Sequence, residues 1–150
     1  MTDAETIRHL WTHKTQDHPW LTDEDLLIDR GEGVWVWTQD GLVENAEKMG
    51  GRLLEGLQSA VGQRPIVGEV RGRGLLVCVD LVEPDGSGRP LDATRVAELD
   101  RKAWDRGAIV YARGSVLRLA PPLCITAEEV DRLVAMVVES IEELQRDVAG

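Results

Sequence analysis

Two long amphipathic segments constrain the fold of this chain more than any other feature of its sequence. Apolar residues recur at helical spacing between Leu42 and Val61, and again between Thr126 and Val148. Each pattern predicts an α-helix with one apolar face, which another part of the fold has to cover. Thr126 and Glu129 have the spacing of a capping box, so we expect the second helix to begin there.

The rest of the chain favours short strands and one further helix. Ala93 to Arg106 has a helical pattern that ends at Gly107. Four apolar runs favour strands: Val34–Thr38, Val67–Val82, Ala108–Ala112 and Val116–Ala120. In the second run, Gly72 and Gly74 indicate a bend or bulge. The last two runs enclose Arg113-Gly114, where we expect a hairpin turn. The expected fold class is α+β. We expect one domain over residues 1–150, with an antiparallel sheet of roughly three to five strands and helices packed on one side.

The charge of the chain limits the kinds of partner that it can bind. It has 27 acidic and 17 basic residues, a formal net charge of −10 and a hydrophobic content of 43%. This argues against nucleic acid and membrane as partners, because both are bound through basic surfaces.

No apolar run is long enough to span a membrane and no signal core opens the chain, so we expect a cytoplasmic protein. Cys78 and Cys124 lie in apolar runs, which predicts buried free thiols.

Four segments of the sequence resemble one enzyme family. They are RGEGVWVWTQDG (Arg30–Gly41), LVENAEKMGGRLLEGL from Leu42, VGEVRGRGLL (Val67–Leu76) and VLRLAPPLCIT (Val116–Thr126). Together they resemble the class III aminotransferases that depend on pyridoxal phosphate, the family of ornithine, 4-aminobutyrate and omega-amino-acid transaminases. The resemblance runs from about Ile7 to Ile141.

The resemblance implies that part of the family's fold is missing. Residues 1–41 resemble the N-terminal segment of the family and residues 42–150 its C-terminal domain. These two parts make up the small lobe of a fold-type I aminotransferase. The large cofactor-binding domain lies between them in the family, whereas here Leu42 follows Gly41 directly. We therefore expect a small lobe that has no cofactor.

The lysines and histidines are consistent with that expectation. The lysines are Lys14, Lys48 and Lys102, and none of them matches the lysine that forms the Schiff base in the family. His9 and His13 have the i, i+4 spacing of metal ligands, but no third ligand follows at a useful spacing, so no metal site is predicted.

Arg118 is the leading candidate for binding a ligand. By the resemblance, it matches the position at which ornithine-type members bind a substrate carboxylate, and a planar guanidinium suits bidentate binding of a carboxylate. Arg113 and Arg71 are candidates for the same anion site. The alternatives are that Arg118 is an ordinary strand arginine paired with a surface acid, and that Arg71 and Arg73 belong to a structural bend.

His13, Asp80 and Tyr111 are the candidates for acid–base catalysis. A histidine suits proton transfer because its ordinary pKa is near neutrality. Asp80 interrupts an apolar run and needs a partner if it is buried. Tyr111 lies near Arg113, where it either donates a hydrogen bond to a ligand or fills the edge of the sheet.

Two kinds of function remain open. One is a cofactor-independent enzyme that cyclises, isomerises or eliminates a small carboxylate- or amine-bearing metabolite in a biosynthetic pathway. The other is a non-catalytic partner or regulator of a full-length aminotransferase or another pathway protein, or an inactive truncated or engineered lobe. A missing domain would expose apolar surface, so we also expect a homodimer. Trp35, Trp37 and the glycine-bearing face of the Leu42–Val61 helix are its interface candidates, although the tryptophans could equally be core residues.

Overall fold

The computed structural model describes residues 41–149 and two short strands before them, β1 (Leu27–Ile28) and β2 (Trp35–Val36). The chain divides into two compact units, Met1–Val43 and Glu44–Gly150. In the first unit, β1 pairs with β2 in antiparallel fashion, with Leu27 opposite Val36. β2 falls within the strand predicted at Val34–Thr38. His13 and the side chains of Trp35 and Trp37 lie outside the described residues, and the single domain stays a prediction.

Three helices and a four-stranded sheet make up the rest of the described chain. The sheet is antiparallel throughout, in the order β3-β4-β6-β5. The predicted α+β class is therefore confirmed, and the ends of the predicted helices agree with the structure to within about one residue. The helices are α1 (Leu42–Val61), α2 (Ala93–Asp105) and α3 (Ala127–Ala149), and the strands are β3 (Val67–Arg73), β4 (Leu76–Leu81), β5 (Tyr111–Arg113) and β6 (Val116–Leu119).

The hydrophobic core lies between one face of the sheet and the three helices. Alternate residues of the central strands point into it, because successive side chains of a strand point to opposite faces. The helices contribute their apolar stripes to the same core. The buried residues include Val77, Val79, Leu117 and Leu119 of the sheet, Leu53 and Leu57 of α1, Val96 and Leu99 of α2, and Val130, Val137, Ile141 and Leu144 of α3. The three described helices thus cover one face, and no element of the Glu44–Gly150 unit covers the other.

Two strand predictions are wrong in their boundaries. The Val67–Val82 run forms a hairpin instead of one bent strand, because Arg73 pairs with Leu76 across a two-residue turn. Gly74 opens that turn with φ of 53°, a conformation in which glycine is strongly preferred. The next hairpin begins at Tyr111 and not at Ala108. The backbone N–H of Ala108 donates to the carbonyl of Ala103 over 2.9 Å, so Ala108 belongs to the end of α2.

None of the helices in the described part of the chain combines the length and the apolar composition that crossing a membrane requires.

Candidate functional site

The face of the sheet that no element of the Glu44–Gly150 unit covers, called here the open face, carries five of the predicted site residues. They are Arg71, Asp80, Tyr111, Arg113 and Arg118. Arg71 lies opposite Cys78, which lies opposite Arg118, and Arg118 lies opposite Tyr111. Residues that lie opposite each other in an antiparallel ladder point to the same face. These four side chains therefore form one row across the sheet.

A second row runs parallel to the first. Glu69 lies opposite Asp80, Asp80 opposite Val116, and Val116 opposite Arg113. Each of these residues is two positions along its strand from a member of the first row, so the second row points to the open face as well. The open face thus combines guanidinium, carboxylate, phenol and thiol groups within two adjacent rows.

Strand alternation presents Arg118 to solvent. Its neighbours Leu117 and Leu119 are 0% and 1% exposed in the core, whereas Arg118 itself is exposed. Among residues 44–149, no carboxylate lies within 4.0 Å of the guanidinium of Arg118 or of Arg113. Within that range, the alternative in which a surface acid pairs with Arg118 is not observed.

Arg71 differs from Arg118 because two carboxylates hold it. Its Nη1 atom donates to Asp80 Oδ2 and, over 3.1 Å, to Glu69 Oε2. The hydrogen bond to Asp80 is the main cause of the raised pKa of Arg71, and the negative charges of Asp80 and Glu69 act in the same direction. Asp80 therefore has the partner that its place in an apolar run requires. Its second oxygen, Oδ1, is buried and has no hydrogen-bond partner in the described part of the chain.

The structure brings two of the three catalytic candidates close to Arg118. Tyr111 lies directly opposite it on the edge strand β5, and the tyrosine is 58% exposed. Asp80 lies on β4, the other neighbour of β6, and is half-buried. His13 is outside the described residues. The catalytic roles of all three stay predictions.

The prediction of two buried thiols is wrong, although both cysteines are free. Cys78 is half-buried and lies on the open face, and Cys124 is exposed in the loop before α3. Cys78 is the member of the site that sequence reasoning missed. The signal was its position between Val77 and Val79, since a residue between two core valines points to the opposite face.

A cavity of about 430 Å³ lies elsewhere, between the end of β6 and α3. Its walls are mainly apolar, and its one charged lining residue is Glu129. That carboxylate accepts hydrogen bonds from the backbone N–H of Thr126 over 2.9 Å and from its hydroxyl over 3.0 Å, which confirms the predicted capping box. The cavity lacks the converging polar groups of a typical ligand site, so the open face is the better candidate.

The lysines of the described residues do not fit pyridoxal phosphate. Lys102 Nζ lies 2.5 Å from a Glu143 oxygen and 2.9 Å from an Asp147 oxygen, and its side chain is 13% exposed. Hydrogen bonds to Glu143 and then Asp147 raise the pKa of Lys102, so the amine stays protonated and is a poor nucleophile. Lys48 is exposed on α1 and does not line the cavity.

Known sequences that are similar to this chain are aminotransferases. The pattern of the family "Aminotransferase class-III" matches residues 31–141. The uncharacterized aminotransferase YhxA of Bacillus subtilis is 32% identical over 120 residues, which cover 75% of this chain and 26% of the relative. Diaminobutyrate–2-oxoglutarate aminotransferase of Rhizobium meliloti is 35% identical, with coverage of 74% and 25%. The 4-aminobutyrate aminotransferase GabT of Escherichia coli is 30% identical, with coverage of 77% and 28%.

Solved structures agree with the sequences. A thermostable omega transaminase 6-fold mutant from Pseudomonas jessenii superposes with a TM-score of 0.70 at 32% identity, covering 75% of this chain and 25% of that chain. An amine transaminase from an uncultivated Pseudomonas species, solved in its PLP-bound form, gives a TM-score of 0.66 at 34% identity, with coverage of 70% and 24%. The chain therefore spans about a quarter of the length of the relatives that it matches.

Proposed function

We propose that this chain, which belongs to the class-III aminotransferase family, supplies the carboxylate-binding part of an aminotransferase-type site. In this proposal Arg118 binds the carboxylate of the substrate. The described residues hold no lysine suited to a Schiff base and span about a quarter of the relatives. The groups that carry out the chemistry would therefore come from polypeptide outside the described residues.

The observation that supports this proposal is the exposed guanidinium of Arg118, which has no carboxylate partner among residues 44–149. A guanidinium in this state can take a ligand carboxylate through two parallel hydrogen bonds. Tyr111, opposite Arg118 in the ladder, can donate a third hydrogen bond from its phenol. The substrates named for the Rhizobium meliloti and Escherichia coli relatives, 2-oxoglutarate, diaminobutyrate and 4-aminobutyrate, all carry carboxylates.

The test is an NMR titration of the protein with 4-aminobutyrate and with 4-aminobutanamide, which lacks the carboxylate. We expect shifts at β5 and β6 with the acid and much weaker ones with the amide. Arg118→Gln should weaken binding of the acid by about tenfold, as expected when a charged hydrogen-bond donor is removed.

Arg132→Gln is the matched control. Arg132 is an exposed arginine on α3, which packs on the opposite side of the sheet, so the substitution changes the net charge equally. Binding that is unaffected by Arg118→Gln, or equally reduced by both substitutions, would refute the proposed role of Arg118.

A second candidate function is cofactor-independent proton transfer on the bound carboxylate compound. It is favoured by Tyr111, which lies opposite Arg118, and by Asp80 on the neighbouring strand. Solvent deuterium should then appear next to the carboxylate of 4-aminobutyrate, and Tyr111→Phe should stop the exchange. An exchange rate equal to that without protein would contradict this second function.

The homodimer also remains a proposal. Gly50 of the predicted interface is buried against the backbone of Gly74, so it is not available for this contact. The exposed apolar side chains Leu76, Trp104 and Ile109 are available in the Glu44–Gly150 unit for contact with a second copy. Sedimentation equilibrium over a range of concentrations tests it directly. A monomer at every concentration would contradict the dimer without affecting carboxylate binding.

A further inference from the structure

We propose that Asp80 determines how many carboxylates the open face binds. By engaging Arg71, Asp80 leaves Arg118 as the binding guanidinium of its row, and it thereby lowers the affinity of the open face for short diacids relative to ligands with one carboxylate. This inference rests on the proposed binding of carboxylates by Arg118, and it assigns to Asp80 the role of a specificity-determining residue.

The two arginines are placed symmetrically about β4. Both lie opposite Cys78, one on β3 and the other on β6. Adding the two kinds of cross-strand spacing puts their Cα atoms roughly 10 Å apart. Both side chains are exposed on the same face of the sheet. Two free guanidinium groups over this span could bind both ends of a short diacid.

The carboxylates around the two arginines break that symmetry. Arg71 Nη1 contacts Asp80 Oδ2 and Glu69 Oε2, whereas no carboxylate among residues 44–149 contacts Arg118. Asp80 is the more buried of the two acids, with 29% of its side chain exposed against 62% for Glu69. Its ion pair is therefore screened less by solvent and dominates the charge around Arg71. A second ligand carboxylate would have to displace Asp80 and would be repelled by it.

Arg113 does not remove this asymmetry. It lies in the second row, in line with Asp80, and it has no carboxylate partner among residues 44–149. Its positive charge acts on monoacids and diacids whether or not Asp80 is charged. A change in the preference between the two ligand types therefore reports on Arg71.

Asp80→Asn is the substitution that tests the idea, because it keeps the shape of the side chain and removes its charge. The ligands are glutarate and valerate, which have the same number of carbons and carry two and one carboxylates. NMR titrations give Kd for both ligands. We expect Asp80→Asn to tighten glutarate relative to valerate by about threefold to fivefold, the gain of one exposed ion pair. The further substitution Arg71→Gln should abolish that gain.

Two controls separate this effect from net charge and from misfolding. Asp105→Asn removes one negative charge from an exposed position of α2, away from the open face, and should leave the ratio of the two Kd values unchanged. If circular dichroism shows that Asp80→Asn is unfolded, Glu69→Gln removes the other carboxylate from Arg71. It should shift the preference in the same direction by a smaller factor.

The outcomes distinguish this inference from the proposed function. Arg118-dependent binding with an unchanged ratio of the two Kd values in Asp80→Asn overturns the role of Asp80 and leaves the carboxylate site intact. A wild-type protein that binds neither ligand through Arg118 overturns both. A gain for glutarate that persists after Arg71→Gln shows that another group takes the second carboxylate, and this also overturns the inference.

Discussion

Gly50 of α1 lies directly against the backbone of Gly74 in the β3–β4 turn. A Cβ atom at position 50 would be 2.1 Å from the carbonyl oxygen of Gly74, closer than any real contact. At Gly51 a Cβ atom would meet nothing within 4 Å. The glycine pair therefore marks close packing, as its position within a helix predicts, but only Gly50 provides that contact.

Substitution of the two glycines by alanine should have opposite effects on stability. Gly50→Ala should lower the free energy of unfolding by about 1–3 kcal/mol, because two backbone segments have to separate. Gly51→Ala should raise it by about 0.5–1 kcal/mol, because alanine favours the helix more than glycine does. Urea unfolding followed by circular dichroism measures both. Equal effects at the two positions would contradict the close approach of α1 to the turn.

Asn45 of α1 forms hydrogen bonds to the loop before α3. Its Nδ2 atom donates to the carbonyls of Leu123 over 2.7 Å and Ile125 over 3.0 Å. Asn45→Asp replaces this donor by an acceptor that faces two carbonyl oxygens, so we expect a loss of about 1–3 kcal/mol in the free energy of unfolding.

Amide hydrogen exchange at Ile125 gives a local measure of the same contact, since its N–H donates to the Pro122 carbonyl over 3.0 Å. We expect faster exchange there in Asn45→Asp and wild-type exchange in Glu47→Gln, which changes an exposed residue of the same helix. Unchanged protection at Ile125 in Asn45→Asp would speak against this anchoring role.

Glu143 of α3 should make stability depend on pH in the acid range. Its carboxylate accepts hydrogen bonds from Lys102 of α2 and from Arg106, which directly follows that helix, and these lower its pKa from 4.5 to about 2. Because the folded state has the lower pKa, the unfolded state binds the proton more readily. The stabilisation is therefore complete above about pH 4.5 and is lost as the pH falls towards about 2.

Urea unfolding of the wild-type protein and of Glu143→Gln at several pH values tests this. The wild-type protein should be more stable at neutral pH, and the difference should shrink below about pH 4.5 and vanish near about pH 2. Glu55→Gln, on the exposed side of α1, is the control. A difference that stays constant over this pH range would show that Glu143 acts through packing rather than charge.

Thr126 should contribute to stability as the cap of α3. The backbone N–H of Glu129 donates to the Thr126 hydroxyl over 3.3 Å. In return, the Glu129 carboxylate accepts a hydrogen bond from the backbone N–H of Thr126. Thr126→Ala should lower the free energy of unfolding by about 1 kcal/mol. Thr126→Ser retains the hydroxyl and should have little effect. Equal destabilisation by both substitutions would indicate that the methyl group matters and not the cap.

The sequence by itself determined the helices and their ends. Helical spacing in Leu42–Val61 and the pair Thr126 and Glu129 are local features, and a helix forms its hydrogen bonds within a few residues along the chain. The alternation of Leu117, Arg118 and Leu119 also indicates that Arg118 points away from the core, since successive side chains of a strand point to opposite faces. These features depend on neighbours that are close in sequence, so the sequence contains what is needed to predict them.

Only the tertiary structure decided how the strands pair and which charged groups meet. In it, Val67–Val82 forms a hairpin, and Arg71 and Arg118 lie on either side of Cys78. Arg71 also forms an ion pair with Asp80. These relationships depend on register, which is determined by hydrogen bonds between distant segments and by the face that the helices cover. Arg71 and Arg118 are the same residue type in strand-like sequence, and they differ because the neighbouring strands bring carboxylates to Arg71 and bring none from residues 44–149 to Arg118.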